Sequence, residues 1–196
     1  IGIGGAGDGA PVADDILIVD GSDISSTGGN QTGAVTITNV PTQAIRRLTL
    51  QSNADVTLTS AASNTLTLGI SIGALALRGG LEIFIGSILT VGTNVNITVE
   101  PGASSQIDGT FQIGTGSTYI HSATDGFSTV NGTINNSGSI TSVAARLIFN
   151  SGSTYNHTRN GGAIPAATWN AVSTCLISGI TNTAPTGLNQ IFSNIT

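Results

Sequence analysis

The sequence predicts an all-β fold, a right-handed β-helix (solenoid) built from one chain that coils into about eight to ten irregular rungs. Three observations favour this fold. Short runs alternate between apolar residues and Thr, the runs are separated by Gly, Asn, Ser or Asp, and charged residues are scarce. Of the 196 residues, 28 are Thr, 27 Gly, 21 Ser and 16 Asn. Only 8% are charged, against about a quarter in an average soluble domain.

The alternating runs follow one another along the middle of the chain. A period of two places Val, Leu and Ile on one face of a strand and Thr on the other, as a half-buried strand requires. The separating residues tolerate tight turns, and the sequence contains no helical 3.6-residue pattern of useful length. The runs are Val35-Thr36-Ile37-Thr38, Leu48-Thr49-Leu50, Val56-Thr57-Leu58-Thr59, Leu66-Thr67-Leu68, Leu75-Ala76-Leu77, Ile83-Phe84-Ile85, Leu89-Thr90-Val91 and Ile97-Thr98-Val99.

A sandwich of hairpins is the alternative to the solenoid. The runs are short, and Asn-Gly pairs, which mark two-residue hairpins, occur only at Asn131-Gly132 and Asn160-Gly161. Two or three strands per coil give rungs of about 16 to 25 residues, which is a usual length for a repeat. These features favour the solenoid.

We expect one domain over residues 1–196, because a chain of this length buries one substantial core. Residues 1–30 form an acidic cap or turn region, residues 31–149 form the core rungs, and residues 150–196 form rungs rich in Asn and Thr. Polar side chains at equivalent positions of successive rungs can stack as ladders that satisfy one another. Such ladders explain the abundance of Asn and Thr without a ligand.

Composition also excludes classes of partner. Five Arg and no Lys cannot form the basic surface that nucleic acid needs. The apolar stretch Gly69–Gly92 is broken by glycines into short pieces, so we expect no membrane insertion. Cys175 is the single cysteine, which excludes an intramolecular disulfide. With no Met in the chain, we expect a processed secreted protein or a piece of a longer one.

The acidic residues near the N-terminus are candidate calcium ligands. Asp14, Asp15, Asp20 and Asp23 lie close together in sequence, and calcium prefers several oxygen ligands. The surrounding residues do not match an EF-hand loop. A charged, solvated cap over the first rung is the competing interpretation, and we predict no cofactor.

A second candidate set is Tyr155, His157, Arg159 and Trp169. A glycan could stack on Tyr155 or Trp169 and bond to Arg159 and His157. An ordinary surface turn beside a buried aromatic is the alternative. Two histidines and one cysteine do not assemble into a catalytic triad or a zinc site.

Threonine pairs provide a third candidate surface. Thr-x-Thr occurs at Thr36/Thr38, Thr57/Thr59 and Thr65/Thr67, and columns of outward Thr are similar to those of ice-binding β-solenoids. The β-propensity of Thr accounts for the same pattern without a ligand.

Two blocks of sequence resemble very large secreted surface proteins of Bacteroidota-type bacteria. One runs from Asn150-Ser-Gly-Ser-Thr-Tyr-Asn-His-Thr-Arg-Asn-Gly-Gly162 through Ile164-Pro-Ala-Ala-Thr-Trp-Asn170 to Ala184-Pro-Thr-Gly-Leu-Asn-Gln190. The other is Val40-Pro-Thr-Gln-Ala-Ile-Arg-Arg-Leu-Thr-Leu50. The resemblance implies a β-helical region of a cargo of a type IX-like secretion route, extracellular or at the cell surface, with a role in attachment or fibres and no shared catalytic motif.

From these observations we expect a non-enzymatic structural or adhesive module that either associates with itself end to end into an extracellular fibre or continues into a longer solenoid. The chain has no Lys, five Pro and no amphipathic helix to blunt its end strands. A glycan- or ice-binding solenoid is the alternative. A polysaccharide lyase or hydrolase is less favoured, because the acids after residue 23 are far apart in sequence: Asp55, Glu82, Glu100, Asp108 and Asp125.

Overall fold

The computed structural model describes residues 15–22, 34–69, 80–121 and 125–196, and these residues form twenty short strands and no helix. The predicted run Leu75-Ala76-Leu77 and most of the expected acidic region at residues 1–30 lie outside the described residues. The strands are β1 (Ile16–Asp20), β2 (Val35–Ile37), β3 (Gln43–Ile45), β4 (Arg47–Gln51), β5 (Asp55–Leu58), β6 (Asn64–Leu68), β7 (Leu81–Ile83), β8 (Ile88–Val91), β9 (Val95–Val99), β10 (Ser105–Ile107), β11 (Thr110–Ile113), β12 (Thr118–His121), β13 (Ser128–Val130), β14 (Thr133–Asn136), β15 (Ser139–Thr141), β16 (Leu147–Phe149), β17 (Thr154–His157), β18 (Thr168–Trp169), β19 (Thr174–Ile177) and β20 (Asn194–Ile195).

The strands form three parallel sheets that run along a solenoid. Sheet A contains seven strands in the order β1-β4-β7-β10-β13-β16-β18. Sheet B contains eight in the order β2-β5-β8-β11-β14-β17-β19-β20, and sheet C contains five in the order β3-β6-β9-β12-β15. Through most of the chain, three successive strands, one from each sheet, make one turn. The predicted β-solenoid is confirmed.

The number of turns is about six, slightly below the expected eight to ten. Side-chain bonds between equivalent positions of neighbouring turns join residues 19 to 23 apart in most of the solenoid, as at Asn131–Asn150 and Asp108–Asn131. Two turns are longer, with equivalent residues 31 or 33 apart. Because these turns take up more of the chain than the others, the chain makes fewer turns than expected.

The core is a set of columns in which each inward residue lies on the equivalent residue of the next turn. In sheet B, one column is formed by Val56, Leu89, Phe111, Ile134 and Tyr155, and none of these side chains is more than 1% exposed. Such burial contributes about 1.5–3 kcal/mol for each large apolar side chain. Near the C-terminal end the columns become aromatic: Phe149 and Trp169 stack with ring centroids 4.4 Å apart.

A recurrent β-turn makes many of the corners. The N–H of the fourth residue donates to the carbonyl of the first at 3.0–3.4 Å, and the third residue has a positive φ. Only glycine adopts this φ without strain, and asparagine tolerates it. Six corners satisfy this requirement and one does not, because its third residue is a β-branched valine. The third residues are Asn53, Gly86, Asn94, Gly102, Gly116, Gly152 and Val172.

On the outside, one corner carries a ladder of side-chain amides over four successive turns. Asn131 Nδ2 donates to Asp108 Oδ1 at 2.6 Å, Asn150 Nδ2 to Asn131 Oδ1 at 2.7 Å, and Asn170 Nδ2 to Asn150 Oδ1 at 2.9 Å. All three amides therefore point their donor end towards the carboxylate, so that their dipoles align favourably with its charge. The ladder therefore holds neighbouring turns together by hydrogen bonds between side chains of the protein itself.

We predict that Val172→Gly stabilises the protein by about 1 kcal/mol. Val172 has a φ of 66° and is 64% exposed, so glycine removes strain and little burial. The strain of a left-handed residue is about 1–2 kcal/mol, and the extra entropy of glycine in the unfolded chain offsets about 0.5–1 kcal/mol of it. Urea unfolding measures the difference. Val143→Gly is the control, since Val143 is exposed and has no positive φ, and it should destabilise.

Candidate functional site

Two of the candidate calcium ligands, Asp14 and Asp23, lie outside the described residues. Asp15 is exposed, and its carbonyl accepts the N–H of Arg46 at 2.9 Å. Within the described part of the chain, no three His, Cys, Asp or Glu side chains come together in a group that could hold a metal ion.

The fourth candidate, Asp20, has protein donors on its carboxylate. Ser22 donates from its N–H at 2.9 Å and from its hydroxyl at 2.6 Å, and Gln51 Nε2 donates at 2.6 Å. The hydrogen bond from the Ser22 hydroxyl is the main reason that the pKa of Asp20 lies well below its ordinary value, followed by that from Gln51. Asp20 thus connects the end of β1 to the end of β4.

The structure places most of the candidate glycan residues in the interior of the solenoid. Tyr155 and His157 are 0% exposed and Trp169 is 8% exposed. The Tyr155 ring lies edge-on to Phe149 and Trp169, with centroids 5.9 and 6.1 Å away. A sugar cannot reach Tyr155 without displacing this packing. The alternation in Thr154-Tyr155-Asn156-His157 is the sequence signal that places Tyr155 and His157 inside.

Arg159, the fourth glycan candidate, is half-buried and donates from Nη1 to Ser139 Oγ at 3.4 Å. Its Nε is buried without a hydrogen-bond partner. Arg159 therefore joins two neighbouring turns at the side of the solenoid, and the four candidates do not form one surface.

The interior holds a polar cluster around His157. Asn136 Nδ2 donates to the Tyr155 hydroxyl at 2.9 Å, and this oxygen lies 3.1 Å from His157 Nδ1. His157 Nε2 lies 2.7 Å from the carbonyl of Gly161. Since a carbonyl can only accept, Nε2 carries a proton. Burial raises the pKa of Tyr155 to about 12, so this hydroxyl remains a donor at neutral pH.

A second buried cluster surrounds His121. The Tyr119 hydroxyl donates to Ser105 Oγ at 3.1 Å and lies 2.7 Å from Ser128 Oγ, which is 2.8 Å from His121 Nδ1. Burial lowers the pKa of His121; the charge of Arg146 lowers it further, while the carbonyl of Gly126 opposes the shift. The side chains of both clusters are buried: none of their Ser, Tyr, Asn or His members is more than 3% exposed.

On the outer face of sheet A, the structure brings together two acids that are far apart in sequence. Glu82 and Asp108 line the same small cleft. Arg47 Nη1 lies 3.3 Å from Glu82 Oε1, and Thr49 donates to Oε2 at 3.0 Å. Gln106 donates to Asp108 Oδ2 at 2.7 Å, and Asp108 Oδ1 accepts the amide ladder. Protein donors therefore hold both carboxylates.

Beside this cleft lies a broad trough of about 570 Å³ on the same face of sheet A. Its floor is formed by the outward residues of β7, β10, β13 and β16, and Phe127 lies along one side. Sequence reasoning did not identify this trough, because its residues are spread over residues 82–148 and meet only when the turns stack.

The threonine pairs lie on two different sheets. Thr36 and Thr57 point outward on sheet B, where the column continues through Thr90 to Gln112. Thr65 and Thr67 lie in two columns on the outer face of sheet C, which extend beyond the three sites found in the sequence, and Ala44 of β3 precedes Thr67 in its column. The columns are Thr65-Asn96-Thr118-Ser139 and Thr67-Thr98-Ile120-Thr141.

The ends of the solenoid are apolar. The N-terminal end, between β1, β2 and the first complete turn, contains a cavity of about 160 Å³ with an almost wholly apolar lining that includes Leu17, Val19 and Ile37. At the C-terminal end, large apolar side chains are exposed, among them Ile191 at 93%.

Comparison of the chain with family models, with curated proteins and with solved structures finds no match. In the described residues, no helix is long and apolar enough to cross a membrane.

We predict that His121 makes the protein less stable as the pH falls below about 6.5. The folded-state pKa is below the unfolded value, so only the unfolded chain takes up the proton in this range. The free energy of unfolding decreases by up to about 1.4 kcal/mol per pH unit until the pH reaches the folded pKa, and the slope then vanishes.

The measurement compares urea unfolding of the wild type and His121→Asn between about pH 5 and pH 8. Asparagine keeps a polar atom at the position of Nδ1 for Ser128 and does not titrate. His157 and the carboxylates are common to both proteins and cancel in the difference. Equal pH dependence of the two proteins would contradict the prediction.

Proposed function

We propose that this chain is a non-enzymatic structural module of a secreted cell-surface protein, and that copies of it associate end to end into an extracellular fibre. The observation that carries the proposal is that core positions are uncovered at the ends of the described solenoid. Ile195 of the last strand is in an inward position yet half-exposed, and an apolar cavity lies beside β1 and β2. The resemblance of two sequence blocks to large secreted surface proteins supports the extracellular location.

The C-terminal end leaves core columns uncovered. Ile195 pairs with Cys175 in sheet B, where it occupies the inward position, yet it is 49% exposed because no further turn of the described chain covers it. Ile180, Leu188 and Ile191 are 44%, 45% and 93% exposed. Exposed large apolar groups of this kind mark interaction sites in soluble proteins. We call these four residues the C-terminal apolar end.

Polar side chains already satisfy part of the backbone at this end. Gln190 Oε1 accepts the N–H of Ala167 at 2.9 Å, and its Nε2 donates to the carbonyl of Pro165 at 3.0 Å. Ser193 Oγ accepts the N–H of Val172 at 2.8 Å. These bonds satisfy main-chain groups of residues that flank β18, the last strand of sheet A. Association would therefore be driven by the C-terminal apolar end and by pairing along the edge of β20.

The N-terminal end supplies a complementary surface. The strands β1 and β2 are the first strands of sheets A and B, and β18 and β20 are the last strands of the same two sheets in the described chain. A second copy can therefore continue the parallel sheets without any change of strand direction, and its cavity can receive apolar side chains. Contact between two different surfaces forms an open fibre unless the rotation between copies closes a ring, and stacking that continues the sheets along one axis gives the open fibre.

A second candidate function is ice binding, and one observation favours it. Six of the nine positions in the two columns on sheet C, with Ala44 included, are Thr or Ser, at a strand spacing of about 4.8 Å. A thermal-hysteresis measurement separates the two functions. Hysteresis that disappears in Thr98→Tyr would support ice binding, and its absence in the wild type would favour the structural module.

We predict that Ile191→Asp weakens end-to-end association at least about tenfold. The substitution removes apolar burial of about 1.5–3 kcal/mol from the contact and adds a charge. Analytical ultracentrifugation over a concentration series, with electron microscopy of the concentrated protein, measures the effect. The wild type should form linear oligomers.

The matched control is Ile85→Asp, since Ile85 is 81% exposed but lies on the side of the solenoid at the corner between β7 and β8. It should associate like the wild type. A wild-type protein that remains monomeric at high concentration, or equal weakening by both substitutions, would contradict the proposal.

A further inference from the structure

The trough on the outer face of sheet A has a polar floor with regular spacing. Glu82, Gln106, Thr129 and Ile148 are the middle residues of β7, β10, β13 and β16 and pair in register. Strands in a sheet lie about 4.8 Å apart, so the floor extends about 14 Å along the solenoid and presents one side chain per step. Three of the four side chains can form hydrogen bonds.

One wall is an aromatic ring held in a fixed position. Phe127 is 45% exposed, its N–H donates to Ser104 Oγ at 3.3 Å, and its carbonyl accepts the N–H of Ser105 at 2.8 Å. The guanidinium of Arg146 lies 5.0 Å from the ring centroid. A ring ordered in this way loses little entropy when a ligand stacks on it.

The trough is nearly neutral. Glu82 is the one charged side chain among the described residues that line it, and Arg47 pairs with its carboxylate. Among the described residues that line the trough there is no cation for a phosphate, sulfate or uronate group, and Arg47 and Arg146 beside it are engaged with Glu82 and with the Phe127 ring. Its polar floor is equally unsuited to a lipid chain, since burying those groups without hydrogen bonds is costly.

The backbone around the trough offers little to a peptide. Each of β7, β10, β13 and β16 lies between two neighbours in sheet A, so that its main-chain groups are already used in the sheet. A peptide recognised by strand addition needs an open edge. A sugar needs side-chain donors and acceptors together with an aromatic ring for the apolar face of its ring.

From this combination we propose that the trough is a binding site for a neutral oligosaccharide, which stacks on Phe127 and forms hydrogen bonds with Gln106, Thr129 and Asn131. The volume of about 570 Å³ falls within the range of small-molecule sites. The site is independent of the solenoid ends, so a fibre of this protein would display one trough in every copy.

The test uses isothermal titration of the full chain with neutral hexasaccharides (cellohexaose, xylohexaose, mannohexaose and maltohexaose). Hexagalacturonate serves as the charged probe and an unstructured polar peptide as the peptide probe. We expect at least one neutral hexasaccharide to bind, with hexagalacturonate and the peptide inert. Phe127→Ala should weaken binding about two- to tenfold, because it removes the aromatic ring on which the sugar stacks, and Phe127→Trp should retain it.

Gln106→Ala tests the floor without touching the core, because Gln106 is exposed, and it should also weaken binding. Gln112→Ala is the matched control: Gln112 points outward on sheet B, away from the trough, and its substitution should change nothing. Failure of all four neutral sugars to bind at about 10 mM would overturn the proposal. So would binding of the peptide or hexagalacturonate in their place, or binding unaffected by both Phe127→Ala and Gln106→Ala.

Discussion

The rest of this structure depends on parallel, in-register pairing between successive turns. Each strand bonds to the strand one turn away, so that every side chain lies directly on the equivalent side chain of its neighbour. The same register produces the apolar columns inside and the amide ladder from Asp108 to Asn170 outside. A slip by one residue would turn the inward side chains of a turn outward, and the register is therefore strongly specified wherever a column is apolar.

The buried polar clusters fit this constraint because their partners come from neighbouring turns. In the column that contains Leu81 and Leu147, the two intervening positions are Ser105 and Ser128. Their small hydroxyls meet the hydroxyl of Tyr119, which projects from the opposite side of the core. Replacing one member leaves a buried polar group without its partner, at a cost of about 1–3 kcal/mol. These clusters thus favour one alignment of the turns over its alternatives, in addition to the apolar packing.

Stacking of the turns also gives the solenoid two different kinds of surface, its sides and its ends. Along the sides, the backbone is paired and side chains alone are available, which suits a ligand recognised by hydroxyls and an aromatic ring. At the ends, strands and core columns are open, which suits a further β-layer. Near the C-terminal end, the corner residue Val172 adopts a strained backbone where other corners have Gly or Asn. It also exposes an apolar side chain. Such strain persists only where the surrounding structure maintains it.

The sequence by itself determined most of the strands that it predicted and the side of each that faces the core, because alternation with a period of two is a local property. The run Ile83-Phe84-Ile85 is an exception, since β7 ends at Ile83 and Ile85 is 81% exposed. It also predicted stacked polar ladders from the abundance of Asn and Thr. The number of turns, the interior position of Tyr155 and His157 among partners from other turns, and the meeting of Glu82 with Asp108 were decided by the tertiary structure. The trough beside Phe127 likewise exists only in the stacked form. The physical reason is that equivalent positions lie 19 to 33 residues apart, and the lengths of the corners between strands set which residues become neighbours.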